Sequence, residues 1–464
     1  MRARWVLSWV WLAVLGLAVR AAEPVTWPPT LPDGKTIVTA TAPEFLVVPD
    51  AMWPKINGER IPAEKLAFTV AKTAPKVDLL YLPEQNYEGN PWSVWGDSLV
   101  ATNGKYYASI GDHGSPESKR TKPGNAFVFE YDPVKQTVRT VVNVQKLLNM
   151  PETDYTPGKI HGQLQQGSDG MIYFATHRGS GGSTTDKYNY KGDWILRYDP
   201  ATDKGEVVVQ APVEKQCIPA TVLDPQRLIY YGGTAAGAQA PEQRIMFFAY
   251  DMKNKKLLYA GPNGCRRYFL FSTSMGRVYY EKTADKGGDN GELMRFDPAK
   301  GEPELVGKCP GIRAAAAETA GGLIYVVSNG QGNTSPVIWS FNPKTEQMVE
   351  LGPAPVGSQA YITSLDADPT GRYLYYIPGA HGGSERDGSA VVQFDTKTKQ
   401  KKVIAFLSPY LGDKFGFTPT GTFSSALDAK GETLYITWHG GRQGQKWNCC
   451  ALTVIQIPAS ERQP

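Results

Sequence analysis

The chain has 464 residues and a formal net charge of +4, with 48 glycines, 35 prolines and 24 tyrosines, a composition that favours strands and turns over helices. Without its first 22 residues it has 46 basic residues (49 minus Arg2, Arg4 and Arg20) against 45 acidic ones. A charge this close to zero argues against a general nucleic-acid or membrane binder.

The N-terminal segment is typical of a secretory signal peptide. Arg2 and Arg4 precede an apolar run over residues 5–19, and small residues follow at Ala21 and Ala22. The apolar run is too short to predict a transmembrane helix. We therefore predict a signal peptide at residues 1–22 and a secreted or periplasmic protein, with an irregular N-terminal lead-in at residues 23–76.

An internal repeat organises the rest of the chain. A short apolar-Tyr-apolar strand recurs at spacings of 46 to 66 residues and is usually followed by a second strand ending in an aromatic residue and a turn, as in "LRYDP" and "MRFDP". The central tyrosines are Tyr107, Tyr173, Tyr230, Tyr279, Tyr325, Tyr375 and Tyr435. Their expected role is in the core.

Each repeat predicts four strands, numbered here from the inside of a ring outward. Seven such units indicate an all-β fold, a seven-bladed β-propeller over residues 77–464. A solenoid is the alternative, but it would need capping repeats. The seventh unit stops after its third strand, at residues 452–457. We predict that an N-terminal strand at residues 77–83 supplies the missing fourth strand and closes the ring.

The topology predicts that all five histidines lie on one face. His113, His177, His381 and His439 follow the second strand of blades 1, 2, 6 and 7, and His161 begins the first strand of blade 2. In a propeller, the end of the second strand and the start of the first lie on the same face. A single histidine at a strand end is more often a loop hydrogen-bonder, but five on one face favour a functional site.

The five cysteines leave two interpretations open. Cys217, Cys265 and Cys309 fall near the starts of the first strands of blades 3, 4 and 5, so they are either channel packing or soft metal ligands. Cys449 and Cys450 are adjacent, and the odd total leaves at least one thiol unpaired. No CxxC pair, GxSxG elbow, HExxH, phosphate loop or dinucleotide motif occurs.

Five stretches together carry a resemblance: "SVWGDS", "SIGDHGSP", "YTPGKIHGQLQQGSDGMIYFATHRG", "YKGDWILRYDP" and "CIPATVLDPQRLIYYGGTAAG". Over roughly residues 90–285 the chain resembles the seven-bladed propeller polysaccharide lyases that act on ulvan. The resemblance implies β-elimination at a uronic acid. In that reaction a cation neutralises the carboxylate, a base removes the C5 proton and an acid protonates the departing O4.

The resemblance also implies roles for individual residues. His161 and His177 match the histidine pair, one as base and the other as acid or substrate-orienting partner. Tyr231 matches the proton donor, Arg244 the carboxylate neutraliser and Tyr280 a residue beside the sugar. Further candidates for substrate binding are His113 and Arg178. A divalent metal ion, zinc or calcium, is implied as well, with His381 and His439 as candidate ligands.

Three functions are therefore compared. The first is a secreted, monomeric polysaccharide lyase for an anionic, ulvan-like and sulfated glycan, without an organic cofactor. The second is a non-catalytic propeller that binds a glycan or a protein through the same face. The third is a metal-dependent lactone hydrolase, which would need acidic ligands in the channel where this chain has histidines. The first is the prediction that the residues favour.

Overall fold

Strands make up most of the regular structure in the computed structural model, which describes residue 31 and residues 36–56, 59–89, 91–114, 124–284, 289–329 and 335–463. The predicted signal peptide lies outside these residues. The N-terminal segment contributes five strands: β1 (Ile37–Ala40), β2 (Lys55–Ile56), β3 (Glu59–Arg60), β4 (Thr69–Val70) and β5 (Lys76–Tyr81).

Blades 1 to 3 follow in chain order, each an antiparallel sheet. Blade 1 consists of β6 (Leu99–Val100), β7 (Tyr106–Gly111), β8 (Ala126–Asp132) and β9 (Thr137–Asn143). Blade 2 has a first strand in two pieces, β10 (Lys159–Ile160) and β11 (Gln165–Gln166), then β12 (Ile172–His177), β13 (Trp194–Asp199) and β14 (Lys204–Gln210). Blade 3 consists of β15 (Gln216–Asp224), β16 (Ile229–Ala236), β17 (Met246–Asp251) and β18 (Lys256–Pro262).

Blades 4 to 7 repeat the pattern. Blade 4 has β19 (Cys265–Ser272), β20 (Arg277–Thr283), β21 (Asp289–Phe296) and β22 (Pro303–Lys308). Blade 5 has β23 (Ala314–Ala315), β24 (Ile324–Val327), β25 (Val337–Asn342) and β26 (Gln347–Pro353). Blade 6 has β27 (Asp366–Ala367), β28 (Tyr373–Tyr376), β29 (Ala390–Asp395) and β30 (Lys401–Phe406). Blade 7 has β31 (Phe417–Leu427), β32 (Thr433–Arg442) and β33 (Cys449–Gln456).

The N-terminal segment closes the ring. Strand β5 pairs antiparallel with β33 and is the fourth strand of blade 7, as the sequence predicts. The segment before it is more regular than expected, because β1 adds a further strand outside β5 and β4 pairs in parallel with β30 of blade 6. These additions cover the outer edges of blades 6 and 7, and so protect backbone groups that an edge strand leaves unpaired.

The described helices are short and lie in connections. Helix α1 (Val144–Leu148) leads from blade 1 to blade 2, and α2 (Leu407–Phe415) leads from blade 6 to blade 7. Single 3₁₀ turns are found at Pro43–Leu46, Asp50–Met52, Ala63–Lys65, Gly181–Ser183, Asp186–Tyr188, Ser384–Asp387 and Ala459–Glu461. Within the described ranges, no helix combines the length and apolar character needed to cross a bilayer.

The core lies between the blades. Seven buried hydrophobic clusters are found among the described residues, one at each junction of neighbouring blades. The seven repeated tyrosines are all buried in them, which confirms their predicted role. Because side chains alternate along a strand, Tyr230 faces blade 2 and the adjacent Tyr231 faces blade 4. All five cysteines are buried, and none is joined in a disulfide.

Candidate functional site

Trp95 is the centre of the histidine cluster. It precedes β6 of blade 1, and its ring stacks on His113 at 5.2 Å and on His161 at 5.7 Å between centroids. His381 meets its edge at 5.3 Å, and Phe423 of blade 7 lies at 4.8 Å. A single indole therefore contacts side chains from blades 2, 6 and 7 in addition to its own blade.

The remaining two histidines join the same cluster. His177 meets His161 edge-on at 5.2 Å, across the hairpin of blade 2, and His439 lies 6.3 Å from Phe423. The hairpin turn between His161 and His177 contains Gly170, whose φ of 81° lies in the left-handed region that glycine adopts without strain. The structure thus brings all five histidines to one face around the axis.

His161 has a fixed tautomer. Its Nδ1 lies 2.8 Å from the carbonyl oxygen of Pro219. Because a carbonyl only accepts, Nδ1 carries the proton, and the Nε2 of the neutral ring is left with a lone pair. Burial, followed by the positive charge of Lys159, lowers the pKa of His161 to about 3. The ring is therefore an uncharged base at neutral pH.

Burial keeps three of the other imidazoles neutral as well. It lowers the pKa of His113 to about 2 and that of His439 to about 3, and it also lowers the pKa of His177. His439 is fully buried, and its ring stacks on Trp447 at 4.0 Å. Protonation of this ring would place an unpaired charge in the core.

We expect His439 to make the protein sensitive to acid. The unfolded chain takes up a proton near pH 6.5, whereas the folded protein does so only near pH 3, so stability falls as the pH drops below 6.5. When the pH is lowered from 7 to 5, the unfolding free energy of wild type should fall by about 2 kcal/mol more than that of His439→Phe. Urea unfolding at both pH values measures this difference. Identical pH dependences in the two proteins would contradict the assignment.

Cationic side chains lie around the histidines. Arg313, just before β23, is 6% exposed, and its Nε donates to the hydroxyl oxygen of Tyr361 at 2.8 Å. Its guanidinium also lies 5.4 Å from the centroid of Phe423. The described residues give it no carboxylate partner. Burial disfavours its charged form and lowers its pKa, so an anion entering the site would compensate a costly buried charge.

Lys159 adds a second cation beside Trp95. Its Nζ lies 4.4 Å from the centroid of the indole, a cation–π contact. Burial, together with the charge of Arg178, lowers the pKa of Lys159 to about 8. Arg178 itself donates to the carbonyl of Ala236 at 2.9 Å. The described part of the chain offers Lys159 no carboxylate, so this side of the site is also suited to an anion.

A cavity of about 300 Å³ is lined by His161, His381 and Arg313, whereas Lys159 and Arg178 lie outside its wall. This volume lies at the lower end of the ~300–1,000 Å³ range of small-molecule sites. The lining includes residues of every blade, in order Trp95, His161, Pro219, Arg267, Arg313, Tyr361 and Phe423. Arg266, Thr234, Ala235, Ile245 and His381 complete the wall. The cavity is therefore axial and basic.

Only His161 among the predicted catalytic and substrate-binding residues lines this cavity. Six others lie outside its wall: His113, His177, Arg178, Tyr231, Arg244 and Tyr280. Strand β16 continues to Ala236, five residues past Tyr231, so Tyr231 is not at the strand end but inside the blade 3–4 core, with its hydroxyl buried. Tyr280 packs in the same core, against Phe247 at 4.9 Å. Arg244 is exposed and forms an ion pair with Glu242 at 2.6 Å. Its neighbour Ile245 lines the cavity instead.

The sequence offered a signal for the residues that replace them. Trp95, Arg313 and Tyr361 lie just before the first strands of blades 1, 5 and 6, and His161 follows the first piece of that strand in blade 2. Applying the same topological rule to aromatic and basic residues, and not only to histidine and cysteine, would have found all three. Nothing local in the sequence marks Lys159 as a neighbour of Trp95.

One histidine of the cluster, His177, also belongs to a buried group that could hold a metal ion. His177, Asp193 and Cys217 are buried and place their ligand atoms within 4.8 Å of one another. Among the described residues, none forms a hydrogen bond with the Nδ1 of His177, while Asp193 accepts from the hydroxyls of Thr176 and Tyr155. The predicted ligands His381 and His439 are not in this group. Asp193 and Cys217 were not predicted as a pair, because blades 2 and 3 bring them together.

A second cavity, of about 340 Å³, occupies the opposite end of the channel. No lysine, arginine or histidine is among the described residues that line it, whereas Asp97, Asp366 and Glu318 are. Burial raises the pKa of Asp366 to about 6 and that of Asp97 well above its usual range. This end of the channel is acidic and does not suit an anionic ligand.

Comparisons with known proteins agree on the fold. No family model matches the sequence, and no curated protein matches it. A chain of the mitotic checkpoint complex aligns with a TM-score of 0.50 and 10% identity, over 87% of this chain and 97% of that one. An oligogalacturonate lyase from Vibrio parahaemolyticus aligns with a TM-score of 0.52 and 11% identity, over 85% and 96%. At such identities the similarity shows the propeller fold alone.

Proposed function

We propose that this protein is a secreted or periplasmic polysaccharide lyase that cleaves a uronate-containing, ulvan-like glycan by β-elimination. One observation carries the proposal: a single axial cavity combines a neutral histidine base, a buried arginine to which the described residues offer no carboxylate, and a tyrosine hydroxyl. These are the three groups that elimination next to a carboxylate requires.

The roles follow from the contacts. Arg313 neutralises the uronate carboxylate and so makes the C5 proton more acidic. The Nε2 of His161 takes that proton, while the hydrogen bond from its Nδ1 to Pro219 keeps the ring in the required tautomer. Tyr361 accepts a hydrogen bond from Arg313, which leaves its own O–H to donate to the departing O4. Arg313 and Tyr361 thus take the roles that the resemblance gave to Arg244 and Tyr231.

The proposal is tested by incubating the protein with ulvan, polygalacturonate, alginate and glucuronan. Elimination creates a C4–C5 double bond conjugated with the carboxylate, so each productive substrate shows a new ultraviolet absorbance. If none of these polymers yields this absorbance although the protein binds at least one of them, the protein is a binding propeller and not a lyase.

We further propose zinc as the metal of the His177–Asp193–Cys217 group. An imidazole nitrogen, a carboxylate oxygen and a sulfur form a donor set typical of zinc, whereas calcium takes six to eight oxygens. The Nδ1 of His177, with which no described residue forms a hydrogen bond, supports the choice. Cys217 is in blade 3 and the other two residues in blade 2, so a bound zinc would join neighbouring blades and stabilise the ring.

Metal analysis of the purified protein should then find zinc, and a chelator should lower Tm. Cys217→Ala should weaken zinc binding by more than ~10-fold, because the Cys217 thiolate is one of the three candidate ligands. Cys309→Ala removes another buried thiol outside the group and is the matched control. Equal zinc content in the two variants would refute the assignment.

A further inference from the structure

The shape of the basic cavity restricts which part of a glycan can enter it. A groove that accommodates the middle of a polymer runs across a propeller face, and only the blades along its path line it. Here side chains from all seven blades encircle the cavity on the axis. The described residues therefore form a pit, which accommodates the end of a glycan chain and not an internal segment.

The pit is closed at its base by contacts that cross the channel. Tyr268 of blade 4 donates to Asp97 of blade 1 at 3.0 Å and lies 3.2 Å from the carbonyl oxygen of Ala315. Trp95 and Phe423 contact each other above this bond, at 4.8 Å. The space that remains around these groups is about 20 Å³. A sugar chain cannot pass through it, and the cavity beyond is acidic.

The position of Arg313 indicates which residue of the chain lies deepest. This arginine lines both the basic cavity and the narrow space beneath it, together with His161 and Phe423. A carboxylate bound to Arg313 therefore places its uronate at the base of the pit. The rest of the chain then has to leave toward the mouth, through the O4 of that uronate.

We propose that the pit recognises the reducing-end uronate of an oligosaccharide and that the protein releases it as an unsaturated monosaccharide. This inference rests on the proposed lyase function. His161 takes the C5 proton, the C4–O4 bond breaks as the C4–C5 double bond forms, and the departing O4 receives a proton from Tyr361. The remaining chain keeps that oxygen as the hydroxyl of its new reducing end. An endo-acting depolymerase would then have to supply the short chains.

The experiment uses saturated oligosaccharides from partial acid hydrolysis of polygalacturonate and of ulvan. Each is offered with its reducing end free, reduced to the alditol, or coupled to a bulky fluorophore. The expected first product is the unsaturated monosaccharide, with kcat/KM at least about tenfold lower for both blocked forms, the cost of one clash of ~1.4 kcal/mol. Unsaturated products of intermediate length, or equal rates with blocked ends, would overturn the proposal.

Binding measurements separate the two proposals. In calorimetry, free-end oligosaccharides should bind with one protein per chain, and the fluorophore-coupled forms at least about tenfold more weakly. Several proteins bound along one polymer chain would exclude end recognition even if elimination occurs. End-specific binding without any unsaturated product would support end recognition by the pit and refute the proposed lyase activity. If none of these glycans binds, both proposals fail.

Discussion

Replacing His161 by alanine should lower kcat by about 10²–10⁴-fold, the range that general acid–base groups contribute. The imidazole is held by a 2.8 Å hydrogen bond from Nδ1 to the carbonyl of Pro219, and it lines the axial cavity beside Arg313 and Tyr361. The measurement is the rate of ultraviolet absorbance increase at saturating substrate.

His381→Ala is the matched control for this variant. It removes another imidazole from the same cavity, but His381 is exposed. Among the described residues, its side chain contacts the rings of Trp95, Tyr361, Phe423 and Trp447. Its loss should reduce kcat less than about tenfold, below the general-base range. If both variants lose activity equally, His161 is not the specific base. Substrate binding by His161→Ala should stay close to that of wild type.

Replacing Arg313 by methionine should lower kcat/KM by about 10²–10³-fold, because the charge developing on the uronate would lose its neutralising partner. The same change should leave the unfolding free energy unaltered or increase it, because methionine keeps much of the buried volume and removes an unpaired buried charge. A loss of activity without a loss of stability separates a substrate role from a structural one.

Substitutions of two further arginines are the controls for Arg313→Met. Arg197→Met removes a guanidinium from the outer part of blade 2, where it pairs with Glu206 at 2.6 Å, and should change kcat/KM by less than about twofold. Arg244→Met tests the residue that the resemblance favoured. A larger loss for Arg244→Met than for Arg313→Met would restore the assignment that the resemblance implies.

The fold could be predicted from the sequence because its signals are local and repeated. The strand predicted around Tyr173 is found as β12, Ile172–His177, and the closing strand predicted at residues 77–83 is found as β5, Lys76–Tyr81. Each depends on alternating apolar residues and a nearby turn, which a short segment contains in full. The strands of the N-terminal lead-in were harder to predict. Strand β4, for example, has only two residues, Thr69 and Val70, and it is defined by their pairing with blade 6.

The site could be predicted only in part, for a physical reason. The topology places the histidines at strand ends, so their gathering follows from the fold. The direction in which Tyr231 points depends on where β16 ends, and a misjudged strand end misplaces the hydroxyl between the cavity and the core. Whether an arginine has a carboxylate partner is a tertiary property, so no local pattern separates the buried Arg313 from the ion-paired Arg244.

The pairing of β5 with β33 has a consequence for how the protein acquires its activity. Tyr81 opposes Ala451 and Lys76 opposes Gln456, so the two ends of the chain hold the ring together. Contacts between such distant segments form late in folding. Because the pit takes side chains from every blade, a nascent chain has no complete site until β33 has been synthesised and has paired with β5. The protein would then remain inactive throughout synthesis and the export proposed for it.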